Sequence, residues 1–227
     1  GGGAFVTSGG GSYATYVGKF TNCTFSGNYA ETWGGGSYIS YNGVFDHCSF
    51  VSNTSSCGGA LYIDEGGTMN DCRLEGNNGN QGGALFISKN GKLTNCSISN
   101  NHSTNEGGGI FIANSTTVTN CSITGNISQT TGGGAISFSG YSFVNCLLSK
   151  NTAETGGGLC VSGDGKVTNC TISGNTANYG GGVYANGGGT FVNSIFWNNL
   201  SSEIETNSTK MSFNYCAIRN GYTGAGA

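Results

Sequence analysis

A cysteine returns along this chain every 24 or 25 residues. It stands at Cys23, Cys48, Cys72, Cys96, Cys121, Cys146 and Cys170. Ser194 continues the series and Cys216 closes it. A fixed period over nearly a whole chain means that one small unit is stacked many times, and that constrains the fold more than any single motif.

Other columns keep the same phase. Two residues after the marker stand Phe25, Phe50, Leu74, Ile98, Ile123, Leu148, Ile172, Phe196 and Ile218. Three residues before it stand Phe20, Phe45, Met69, Leu93, Val118, Phe143, Val167, Phe191 and Phe213. Five residues after it stand Asn28, Asn53, Asn77, Asn101, Asn126, Asn151, Asn175 and Asn199. A glycine-rich turn and a second apolar stretch follow, as in Gly58-Gly59-Ala60-Leu61-Tyr62-Ile63 and Gly133-Gly134-Ala135-Ile136-Ser137-Phe138.

Composition decides which repeat this is. Gly is 44 of 227 residues and Pro is absent. Gly, Ser, Thr and Asn are poor helix formers, so a helical solenoid is excluded. The leucine ladder of a leucine-rich repeat is missing. Three strands of about 4–6 residues and three turns use up about 24 residues. The expectation is an all-β fold: a single-stranded parallel β-helix of about nine rungs, right-handed by the rule for parallel crossovers. One domain spans 1–227, with regular rungs over 1–199 and an irregular terminal rung over 200–227. The abrupt start within a repeat suggests a piece of a longer chain, with signal and anchor outside it.

Side chains alternate along a strand, so the marker cysteine and the residue two later face inward together. The residue three before the marker also faces inward, across a bend made by pairs such as Thr94-Asn95 and Thr168-Asn169. The asparagines form an axial ladder of side-chain amides that supports left-handed turn geometry. The cysteines read as buried reduced thiols, Cys216 included. Cys57 and Cys160 lie outside the column. No Cys-x-x-Cys pair exists and His occurs only as His47 and His102. No metal ligand set and no cofactor is expected on those grounds.

The net charge is −3 and charged residues are 8% of the chain. That excludes a basic nucleic-acid surface. No apolar run reaches the roughly 20 residues that span a bilayer as a helix.

Two function classes then compete. An enzyme would need a cluster of titratable groups. The densest is Asp46, His47, Asp71, Arg73 and Glu75, with His47 stacked on Asp71 and Arg73 and Glu75 facing outward. The reading preferred for it is a surface ion cluster that interrupts the Thr-Asn column. Glu203 and Glu205 are a second carboxylate pair, in a segment read as a loop. The other class is a binding surface. The middle residue of the post-glycine strand gives the column Phe5, Tyr38, Tyr62, Phe86, Phe111, Ser137, Cys160 and Tyr184. If its aliphatic neighbours face inward, the rings form an outward stripe for sugars or a protein. Stacked rings also serve simply to stiffen a sheet. A third possibility is end-to-end self-association, because open rungs are uncapped edges.

Gly133-Gly134-Ala135-Ile136, with Gly58-Gly59-Ala60-Leu61 and Gly107-Gly108-Gly109-Ile110, resembles the GGA(I/L/V) repeat of the chlamydial polymorphic outer-membrane proteins. The partner FxxN motif of that family appears as Phe25-Ser26-Gly27-Asn28, Phe50-Val51-Ser52-Asn53 and Phe196-Trp197-Asn198-Asn199. Residues 193–199, with Tyr215-Cys216-Ala217-Ile218 and Asn220-Gly221-Tyr222-Thr223-Gly224, resemble the last coils of choice-of-anchor bacterial surface proteins. The resemblance implies an extracellular or cell-surface protein, adhesive or structural, whose partner is a glycan or a surface protein of a host or neighbouring cell. It brings no catalytic residue with it.

Overall fold

The computed structural model describes residues 6–8, 12–14 and 18–221. Within them every named strand pairs in parallel with a strand of the next circuit. Three long sheets result. The post-cysteine sheet has ten strands, from Val6–Ser8 to Ala217–Ile218. The pre-cysteine sheet has nine, from Lys19–Thr21 to Met211–Asn214. The post-glycine sheet has nine, from Ser12–Ala14 to Ile204–Thr206. A three-stranded sheet (Asn78–Gln81, His102–Glu106 and Ile127–Ser128) widens the side between the post-cysteine and post-glycine sheets. This is a parallel β-helix.

The columns read from the sequence line the interior. Phe50, Leu74, Ile98, Ile123, Leu148, Ile172 and Phe196 are buried on the post-cysteine sheet, with Phe45, Met69, Leu93, Val118, Phe143, Val167 and Phe191 facing them from the pre-cysteine sheet. Phe20, Phe213, Cys216 and Ile218 close the two ends, partly buried. The post-glycine sheet contributes the residues on either side of its outward column, such as Leu61 and Ile63. Rings stack along the axis where Phe recurs: Phe25 and Phe50 lie 4.7 Å apart and nearly parallel.

Each corner has its own backbone device. The residue before the marker is left-handed on every rung from Asn22 to Tyr215, with φ of 54° at Asn22 and 56° at Tyr215. Asn is favoured there because its short polar side chain tolerates that region. After the post-cysteine strand the left-handed residue is the one before the ladder asparagine: Gly27, Ser52, Gly76, Asn100, Gly125, Lys150, Gly174 or Asn198. The ladder asparagines themselves are not left-handed; each directly follows the left-handed residue. At the glycine corner, Gly82 has φ 70°, and a Cβ on Gly83 would stand 2.1 Å from the carbonyl oxygen of Gly108 on the next rung. Only glycine fits such a close backbone approach.

What the ladder asparagines do is satisfy the buried corner. The backbone N–H and the side-chain amide of Asn77 both donate to Oδ1 of Asn101, each at 2.9 Å. The same amide donates to the carbonyl of Phe50 on the preceding rung. The pattern repeats from Asn28 to Asn199. The chain ends it with an acid: Nδ2 of Asn199 donates to the Glu203 carboxylate at 2.5 Å.

All ten cysteines are unbridged. The marker column is more than apolar filling. The N–H of Cys96 donates to Sγ of Cys121 at 3.3 Å, and Sγ of Cys121 donates to the Thr119 carbonyl. Ser194 repeats that arrangement, accepting from the N–H of Cys170 and donating to the Val192 carbonyl. This explains why a serine can keep the phase. Neighbouring cysteines and then burial hold the Cys72 and Cys121 thiols above their ordinary range.

Candidate binding face on the post-glycine sheet

Alternation along the strands Ser37–Ile39, Leu61–Glu65, Leu85–Lys89 and Ile110–Ile112 turns Tyr38, Tyr62, Phe86 and Phe111 away from the main core. Their partners are in register: Tyr38 with Tyr62, Tyr62 with Phe86, Phe86 with Phe111. The rings stack face to face along the axis at 5.2, 4.7 and 4.5 Å. The column continues as Ile136, Cys160 and Tyr184. Phe111, Ile136 and Cys160 form a small second apolar cluster with Phe86, Ala113 and Tyr184 packed against it.

One member of the expected column is replaced. Ser137 is inward and fully buried, and Ile136 takes the outward place opposite Phe111. Gly134 aligns with Gly109 and Ala84, so the GGAI motif at residues 133–136 is one residue out of phase with the motif at 58–61. A one-residue shift sends each side chain to the other face. The inward Ser137 hydroxyl has no hydrogen-bond partner. Phe5 lies outside the described residues, and the strand in register with Tyr38 places Tyr13 opposite it.

Stacking also decides what this face can offer. The rings in the middle of the column spend their faces on one another, so they present edges and, for the tyrosines, hydroxyls. Two exposed rings flank the stack, Phe138 against Phe111 and, more exposed, Trp33, which the column did not predict. Trp33 is 50% exposed and leans on Tyr38 and Tyr62 at 5.8 and 6.0 Å. It stands at the edge of the sheet, bridged in parallel to Cys57 and, through it, to Gln81. Only Tyr179 repeats an aromatic residue at that edge, so no column of rings marks Trp33 in the sequence.

Polar groups border the stack. Tyr38 donates to Asp64 Oδ2 at 3.4 Å. Gln81 Nε2 donates to Glu106 at 3.0 Å, and Lys89 pairs with Glu65 at 3.2 Å. Burial and then the Asp64 carboxylate push the Tyr62 phenol above its usual range, so it stays protonated as a donor. Nearer the other end, Asn207 donates to the Tyr184 hydroxyl at 3.1 Å.

The two carboxylate candidates resolve differently. Glu205 is not in a loop: Ile204–Thr206 is a strand in register with Val183–Ala185, and Glu203 sits in the bend just before it. Glu203 caps the asparagine ladder, and Glu205 accepts the Gly180 N–H at 2.9 Å. Both are engaged by the fold. At the other patch His47 and Asp71 do take the same corner on successive rungs, with φ of 53° and 52°. His47 Nδ1 lies 3.1 Å from Asp46 Oδ1. One ligand atom from each of Asp46, His47 and Asp71 lies within 4.8 Å of the others, a donor set that counting histidines missed. Arg73 and Glu75 form an ion pair beside them on the post-cysteine sheet.

The family model for a right handed beta helix region matches residues 2–153. Searches of curated proteins and of solved structures gave no match.

Proposed function

Since the chain belongs to the right-handed β-helix family, we propose that it is a non-enzymatic rod of a cell surface or the extracellular space that presents its post-glycine face to a glycan. The observation that carries this reading is Trp33. Its half-exposed ring leans on Tyr38 and Tyr62 of a rigid stack whose border carries the acceptors Asp64 and, further along the axis, Gln81 and Glu106. A sugar presents an apolar C–H face and a rim of hydroxyl donors, and a free indole face flanked by carboxylates and amides complements both. The stacked column beneath holds the indole in place, so little side-chain entropy is lost on binding.

Retention of the intact chain on immobilised polysaccharides tests this. Trp33→Ala is expected to weaken retention at least tenfold, and Tyr62→Ala less, because Tyr62 supports the ring. Retention unchanged by Trp33→Ala contradicts the assignment of the face. An adhesin-like role toward a surface protein is the related alternative, and a filament built by end-to-end stacking is another. Uniform monomers in size-exclusion chromatography and negative-stain images exclude the filament.

A further inference from the structure

The corner before each cysteine carries an outer amide ladder. Asn120 donates to Oδ1 of Asn95, Asn145 to Asn120, and Asn169 to Asn145. Each amide both accepts and donates, so the ladder propagates. Asn95 donates to Oδ1 of Asp71, and there it stops, because a carboxylate has nothing to pass on. Over these two rungs the Thr-Asn pair seen at Thr21-Asn22 and Thr94-Asn95 becomes Asp46-His47 and Asn70-Asp71. Both columns change at once, in a chain with only 8% charged residues and two histidines.

We propose that Asp46, His47 and Asp71 bind a divalent first-row transition ion of the zinc type. The donor set is one imidazole and two carboxylates, drawn from two adjacent rungs of a rigid corner. Zinc takes nitrogen and oxygen ligands at about 2.0–2.2 Å, which sets neighbouring ligand atoms about 3.0–3.5 Å apart. The Asp46–His47 pair already stands at 3.1 Å. The longest separation, within 4.8 Å, closes by on the order of an ångström through side-chain rotation at a solvent-exposed corner. Arg73 does not compete for the acids, because it pairs with Glu75. Calcium prefers six to eight oxygen ligands, and the imidazole selects against it. The exposure of His47 and Asp71 leaves a position for water on the ion.

The test is calorimetric titration of the intact chain with zinc chloride, in a Cys57→Ser, Cys216→Ser background that removes the two half-buried thiols. His47→Asn and Asp71→Asn restore the residue that other rungs carry at this corner, so both variants are expected to fold. The proposal expects one zinc per chain, at least a tenfold loss of affinity in either variant, no loss in His102→Asn, and no binding of magnesium or calcium at matched concentration. Absence of zinc binding overturns it. So does binding that survives both corner substitutions, or that His102→Asn removes.

Discussion

A single asparagine shows how much of this fold is held by side-chain amides. Asn101 is buried, accepts from the backbone and side chain of Asn77, and donates to Asn126 and to the Leu74 carbonyl. Asn101→Ala strands the Asn77 N–H away from water, at about 1–3 kcal/mol, and removes the amide donor from the Leu74 carbonyl and from Asn126. Urea unfolding is expected to show a loss of about 3 kcal/mol, far above that of an exposed asparagine such as Asn178. The cysteines obey a related rule. Cys121→Ser keeps both hydrogen bonds of the column, as Ser194 does, whereas Cys121→Ala orphans the Cys96 N–H. The serine variant is therefore expected to be the more stable of the two in the same assay. Burial and then Glu106 push the Cys160 thiol up to about 12 from 9.0. The folded chain keeps that proton where the unfolded chain releases it. Its contribution is full below pH 9 and falls as pH rises from about 9 to about 12. Cys160→Ala is expected to flatten the loss of stability over that window.

Among the elements, the glycine corner carries the strictest demand. Gly83 packs its Cα against the carbonyl of the next rung, and Gly83→Ala must move a backbone that neighbours on both sides hold. The expected cost exceeds the roughly 1 kcal/mol difference between Gly and Ala that propensity alone involves, and it opposes it in sign. The same corner explains what the sequence concealed. Strand existence, the inward columns and the inner asparagine ladder were legible because each repeats at a fixed phase. At residues 132–137 three glycines in a row fit two registers, and the familiar GGAI match selects the wrong one, exchanging Ile136 and Ser137 between faces. The final rung shortens to 22 residues between Ser194 and Cys216, which hid the strand at Ile204–Thr206 and the capping role of Glu203. Trp33 and the Asp46–His47–Asp71 corner were obscure for the opposite reason. A residue placed where a repeat is broken leaves no column to read.

At the scale of the whole molecule, the three sheets fix a straight series of rungs about 4.8 Å apart, with the interior devoted to apolar stacks and amide ladders. Such a frame moves little on binding, so side chains on its outer faces are presented in fixed register. On the proposed reading, recognition along the axis follows from which residues stand at the edge of the post-glycine sheet. The most direct measurement is a glycan-array screen of the intact chain, with reducing-end release assayed on each polysaccharide that binds. Binding without cleavage, abolished by Trp33→Ala and retained in Arg73→Ala, is the result the account predicts. Cleavage that disappears with Asp71→Ala or Arg73→Ala would contradict it and make the chain an enzyme.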